Sequence, residues 1–67
     1  MFYFNRALAY LGLEQSDRAL EDLNKAINLN PQYAVAYYIR GLVYEELGKS
    51  KESELDVAKA KELGFNP

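Results

Sequence analysis

Residues 30–47 read NPQYAVAYYIRGLVYEEL, and within them Ala34, Tyr37, Tyr38, Gly41, Val43 and Tyr44 recur at intervals of three and four. Helical geometry gathers such residues on one broad apolar face. That face is wider than one neighbouring helix covers, so the stretch reads as a central helix with partners on both sides. Tyr37 and Gly41 are expected among its best buried residues. A shift of 34 residues shows why it is central. Tyr3 falls on Tyr37, Arg6 on Arg40, Leu8 on Leu42, Tyr10 on Tyr44, Leu13 on Leu47, Ser16 on Ser50, Asp22 on Asp56, Lys25 on Lys59, Ala26 on Ala60 and Leu29 on Leu63. The chain is one unit written twice.

Before the central stretch, Tyr3, Ala7, Tyr10 and Leu11 share one helical face, with Phe4 and Leu8 on an adjacent one. Glu14, Gln15, Ser16 and Asp17 break the period. Ser16 is placed to cap a second helix over 17–29, with Asp17 favourably in its first turn. Its apolar stripe is Ala19, Leu20, Leu23, Ala26, Ile27 and Leu29, while Arg18, Glu21, Asp22 and Lys25 read as a solvated face. Asn30 and Pro31 stop that helix.

Beyond the central stretch, Gly48 suits a left-handed helix end and Ser50 repeats the expected capping role of Ser16. A last helix over 51–63 keeps Val57, Ala60 and Leu63 but has Glu54 where Leu20 stood and Lys61 where Ile27 stood. Its outer side becomes wettable. Gly64 suits another left-handed position, Phe65 is expected to fold back on the last turn, and Asn66-Pro67 repeats Asn30-Pro31. The expected architecture is all-α: four antiparallel helices in two hairpins, with repeat 1 over about 1–31 and repeat 2 over about 32–65, and turns near Glu14 to Ser16, Asn30 to Gln32 and Gly48 to Lys49.

Composition narrows the function classes. The chain has 67 residues, 49% of them hydrophobic and 27% charged, which suits one small globular domain and is too apolar for a disordered one. A net charge of −2 offers no basic field, so neither nucleic acid nor a membrane surface is an expected partner. No run approaches the roughly 18 apolar residues of a membrane span. Arg6 and Asn5 interrupt the apolar opening, which lacks the basic start and cleavage site of a signal peptide. Cys is absent, which leaves the compartment open, with the cytoplasm as the default expectation.

No catalysis and no cofactor are expected. The chain has no His and no Cys, hence neither the usual general base nor a thiolate, and the metal ligands those residues supply are missing too. Paired carboxylates occur at Asp17 and Glu21 and at Glu52 and Asp56, but Lys or Arg is interleaved and both pairs read as solvated outward faces. Tyr3, Tyr10, Tyr37 and Tyr44 read as packing residues whose hydroxyls reach the hairpin edge. Arg6 and Arg40 hold one place in both copies, which points to structural pairing with a nearby acid.

These residues resemble the tetratricopeptide repeats, whose 34-residue helix-turn-helix unit carries W-x2-L-G-x2-Y, then A-x3-F, then P. In the second copy Tyr37 stands for the aromatic, Gly41 and Tyr44 match, and Ala60 holds the later small position; in the first copy Tyr3, Ala7, Tyr10, Ala19, Leu23, Ala26 and Pro31 correspond. Ser53 in place of Ala, Leu23 and Val57 in place of the larger aromatic, Glu14 in place of a turn Gly, and a closing Pro two residues late depart from the pattern. The resemblance implies a short right-handed α-solenoid that binds a peptide or partner helix in a concave groove.

By that resemblance the groove is lined by Phe4, Asn5 and Leu8 from the first copy and by Val35, Tyr38, Ile39, Leu42 and Glu45 from the second. Phe4, Leu8 and Ile39 occupy places where the carboxylate-gripping subclass carries Lys and Asn, so a carboxylate clamp is not expected. The competing expectation is a structural or self-assembling segment of a longer solenoid without a dedicated ligand. Met1, Phe2, Tyr3 and Phe4 form an apolar run with no preceding helix, so a homo-oligomer with Phe2 and Phe4 at the contact is expected.

Overall fold

The doubled period is realised as four helices. In the computed structural model, which describes residues 2–66, α1 spans Phe2–Gly12, α2 Ser16–Leu29, α3 Ala34–Glu46 and α4 Ser50–Glu62, and no strand occurs among the described residues. Met1 and Pro67 lie outside the described residues, and with them the first residue of the apolar run and the proline of the second Asn-Pro pair. Links of three residues, 13–15 and 47–49, force the chain to reverse, so α1 with α2 and α3 with α4 form antiparallel hairpins. Packing of α2 on α3 joins the hairpins, which leaves α3 between α2 and α4.

Helix α3 meets its two neighbours with different residues. Ala36 and Val43 join Ala7, Ala19, Leu23 and Ile27 in the buried cluster, with Phe4, Tyr10, Leu11, Leu20, Tyr33, Tyr37 and Ile39 packed around it. Gly41 faces α4, where an added Cβ would lie 3.0 Å from Cγ2 of Val57 and 3.2 Å from the carbonyl oxygen of Ser53. Gly41 is buried as expected, but Tyr37 is only half-buried. Its hydroxyl donates to the carbonyl of Pro31 at 2.9 Å, which keeps the ring at the hairpin edge while small Ala36 takes the fully buried place. Small residues at the closest contacts let the helix backbones approach, and the dispersion gained there offsets their modest apolar area.

Three helices end in the same way. The N–H of Gln15 donates to the carbonyl of Tyr10 and that of Glu14 to Leu11; Lys49 and Gly48 bond Tyr44 and Glu45; Phe65 and Gly64 bond Ala60 and Lys61. In each case two orphan carbonyls of the last turn are satisfied by a chain that reverses through one left-handed residue. Gly48 and Gly64 have φ of 79° and 100°, but at the first turn the left-handed residue is Glu14, at 60°. The helix starts differ from expectation. Ser16 and Ser50 are the first helical residues rather than caps, and no side-chain cap bond precedes α2 or α4. The Ser16 hydroxyl instead donates to Oε1 of Glu46 at 3.0 Å, which ties the first turn to the end of α3.

Each hairpin is clamped by one bidentate ion pair. Arg6 donates from Nε and Nη2 to Asp22 at 2.7 and 2.8 Å, and Arg40 repeats both bonds to Asp56 at the same distances. The expected structural role of both arginines holds, but Asp22 and Asp56 do not lie on solvated faces. Both are buried, because the guanidinium fork reaches over the hairpin edge and replaces the water each carboxylate would otherwise require. Nη1 of Arg40 also donates to Oδ1 of Asn24 at 2.9 Å, a bond that crosses from one repeat to the other. The guanidiniums lie against aromatic rings, Arg6 near Phe2, Tyr3 and Tyr10 and Arg40 near Tyr37 and Tyr44.

Candidate functional site

The candidate site is built on α1 and α3, the first helices of the two copies. Leu8 and Leu42 occupy equivalent positions on them and are 42% and 43% exposed. Asn5 precedes Leu8 by three residues and is exposed. On α3, Val35, Ile39 and Leu42 recur at four and three residues and Glu45 follows three later, so helical geometry sets them in one stripe. Val35 is half-buried and Glu45 exposed.

The remaining expected lining residues are held by packing. Phe4 and Ile39 rest against the buried cluster, and the Phe4 ring meets Tyr33 edge-on with centroids 5.1 Å apart. Tyr38 lies 4.8 Å from the ring of Phe65. Phe65 folds back through the bond from its N–H to the Ala60 carbonyl. The reversal at Gly64 sends it across to α3, where it does for Tyr38 what Tyr33 does for Phe4. Of the expected lining residues, Asn5, Leu8, Leu42 and Glu45 are the exposed ones. Of the residues expected at a self-association contact, Phe2 is 65% exposed and Phe4 half-buried.

Charge near the stripe is acidic at one end. Glu45 lines a polar cleft of about 200 Å³ with Ser50, Ser53 and Glu54, and Glu46 is engaged by Ser16. Arg6 and Arg40 are paired within their hairpins. The hydrogen bond from Arg6 holds the Asp22 carboxyl below the usual carboxylate range despite the opposing effect of burial. Bonds to their carboxylates push Arg6 and Arg40 above the ordinary guanidinium value. Asp22 is thus a paired anion rather than a poised acid. Among the described residues no group of three or more His, Cys, Asp and Glu is placed to hold a metal ion, and no helix is long and apolar enough to cross a membrane.

Sequence reasoning missed Asp22, Asp56, Asn24 and the Tyr38–Phe65 contact. A signal for the acids was present: Arg6 and Asp22 stand 16 residues apart, and the 34-residue shift carries both onto Arg40 and Asp56 at the same spacing. The Asn24 bond and the Phe65 contact have no such duplicate, and nothing in the repeat points to them.

Comparison with known proteins gives one consistent family. A family model described as TPR repeat matches residues 9–48, and one described as tetratricopeptide repeat matches residues 34–63. The human tetratricopeptide repeat protein 28 is 38% identical over 53 residues, which is 79% of this chain and 2% of that protein. The human mitochondrial import receptor subunit TOM70 is 39% identical over 56 residues, 84% of this chain and 9% of the relative. The heat shock protein STI1 of Saccharomyces cerevisiae is 33% identical over 63 residues, 94% of this chain and 11% of the relative. The chain spans only a small part of the length of each.

Proposed function

Because the chain belongs to the tetratricopeptide repeat family, we propose that it is a protein-interaction module whose stripe of Asn5, Leu8, Val35, Leu42 and Glu45 receives a peptide or partner helix over a floor of Phe4, Tyr38 and Ile39. The observation that carries the reading is the pair Leu8 and Leu42. Equivalent in the two copies, they leave more than two fifths of their surface in water beside side chains fixed by packing. Each forgoes part of the roughly 1.5 to 3 kcal/mol that full burial of a leucine yields, which a ligand recovers on binding. An import receptor subunit among the relatives supports a role in holding another polypeptide. The ligand is anchored by apolar side chains spaced to meet both leucines, with a basic residue facing Glu45. The role has no catalytic step.

A peptide array probed with the 67-residue chain tests this reading. Ligands that carry apolar anchors and a basic flank are expected, and Leu8→Ser with Leu42→Ser should weaken their capture by about tenfold or more, the cost of lost apolar anchors. Both side chains are partly exposed, so helix content should be unchanged by circular dichroism. Ligands bound equally by wild type and the double variant place recognition elsewhere. An array that returns no ligand favours the competing reading, a structural repeat without a dedicated partner.

A further inference from the structure

Among the described residues, two side-chain hydrogen bonds cross between α2 and α3, and they lie apart along the boundary. The Ser16 hydroxyl donates to Oε1 of Glu46 at 3.0 Å, and Nη1 of Arg40 donates to Oδ1 of Asn24 at 2.9 Å. Eight residues separate Ser16 from Asn24 and six separate Arg40 from Glu46, which is roughly 12 Å along α2 and roughly 9 Å along α3. Two contacts so spaced resist rotation of one helix over the other, whereas a single contact is a pivot. The apolar part of the boundary resists it less. Helix α3 gives the buried cluster only Ala36 and Val43, and such non-directional contact between small side chains leaves the crossing angle free within about 15 to 20°, the scatter of helix pairs in one packing class.

The Arg40 bond is the stiffer of the two. Its Nε and Nη2 are already held by Asp56 of α4, and the guanidinium is planar, so the second hairpin sets the direction of Nη1. Asn24 receives that direction on the first hairpin. It makes no other side-chain hydrogen bond among the described residues, and Ala58 holds the equivalent place in α4, so alanine suits the helix there. Leu42 stands two residues from Arg40, which puts it on the opposite side of α3, beyond the reach of Asn24.

We infer, on the reading of the chain as an interaction module, that Asn24 is a positioning residue for the ligand stripe. Through Arg40 it fixes how the second hairpin lies on the first, and so the alignment of Val35, Leu42 and Glu45 against Leu8 that selects a ligand. Val35 and Glu45 each stand five residues from Arg40, so a rotation of about 15 to 20° displaces them by about 2 to 3 Å. That approaches the rise of one residue in an extended peptide, about 3.3 Å, and changes which anchors meet both leucines.

Residual dipolar couplings of the backbone N–H groups in the 67-residue chain read the angle between the hairpins. In Asn24→Ala the couplings within each hairpin should still fit one orientation, while the angle between hairpins departs from wild type by about 10° or more. Asn24→Asp retains an acceptor for Nη1 and should keep the wild-type angle. On the peptide array, Asn24→Ala should shift the captured anchor spacings and weaken the wild-type ligands by about threefold or more, and Asn24→Asp should restore them. Uniformly weaker capture with the same spacings is what a merely stabilising residue gives, and it overturns the positioning role. Unchanged couplings in Asn24→Ala overturn the inference alone, whereas a wild-type array without ligands removes the interaction-module reading and the inference together.

Discussion

Glu14 is the residue at which the chain works against itself, and replacing it with glycine should stabilise the protein. Its φ of 60° places a Cβ in the left-handed region, whereas glycine holds the equivalent positions after α3 and α4. A left-handed L-residue costs about 1 to 2 kcal/mol through crowding of Cβ against the following carbonyl. Glycine removes that cost but returns about 0.4 to 1 kcal/mol as extra freedom of the unfolded chain. The net gain is about 0.5 to 1 kcal/mol, which raises the midpoint by about 2 to 8 °C in a domain of this size. Charge must be separated from backbone. The Glu14 carboxylate lies just beyond the C-terminus of α1, which disfavours it, and just before the N-terminus of α2, which favours it, so the two helix dipoles oppose each other. Thermal denaturation followed at 222 nm should therefore show Glu14→Gln near wild type and Glu14→Gly above it. Gly48→Glu imposes the same strain on the second turn, less the same offset in the unfolded chain, and should fall below wild type by about 0.5 to 1 kcal/mol. A Glu14→Gly variant that melts at or below wild type, or a Glu14→Gln variant that shows the whole gain, refutes the reasoning.

Gly41→Leu should cost about 3 kcal/mol or more, since even a Cβ meets Val57 and the Ser53 carbonyl at 3.0 and 3.2 Å; urea denaturation of a variant as stable as wild type would remove the close α3–α4 contact. Arg40→Met leaves Asp56 buried without its partner and should cost about 3 kcal/mol, read from the same denaturation curves. Asp22 has a carboxyl pKa below its unfolded value, so its stabilising contribution is fully present above the unfolded value of about 3.9 and drains away as pH falls through the lower folded value. Melting temperature should accordingly drop on acidification below about pH 4, and Asp22→Asn should flatten that drop; an equal drop in both proteins would assign it to other carboxylates.

The doubled period, the all-α class, the hairpin turns and the left-handed glycines were all legible in the sequence, because each depends on residues within a turn or two of one another. Apolar residues at three and four intervals settle a helix locally, and a glycine after the last turn settles its end. Glu14 was visible as a departure, and its backbone angle gives that departure its consequence. The retained Arg6 and Arg40 pointed to structural pairing, but not to the partners that serve them.

What only the tertiary structure decided is which faces meet. Asp22 lies on a helix side that reads as solvated until Arg6 reaches over it from α1, and Asn24 gains its role from a helix of the other repeat. Ser16 has the chemistry of a cap, yet the approach of α3 draws its hydroxyl to Glu46. Among the residues expected to line a groove, packing separated Phe4, Tyr38 and Ile39, which have protein partners, from Leu8 and Leu42, which remain open to water. Helical periodicity specifies which residues share a face, since it arises within one helix. Which of them stay exposed depends on how closely and in what register the helices pack, and that is a property of pairs of helices far apart in the chain.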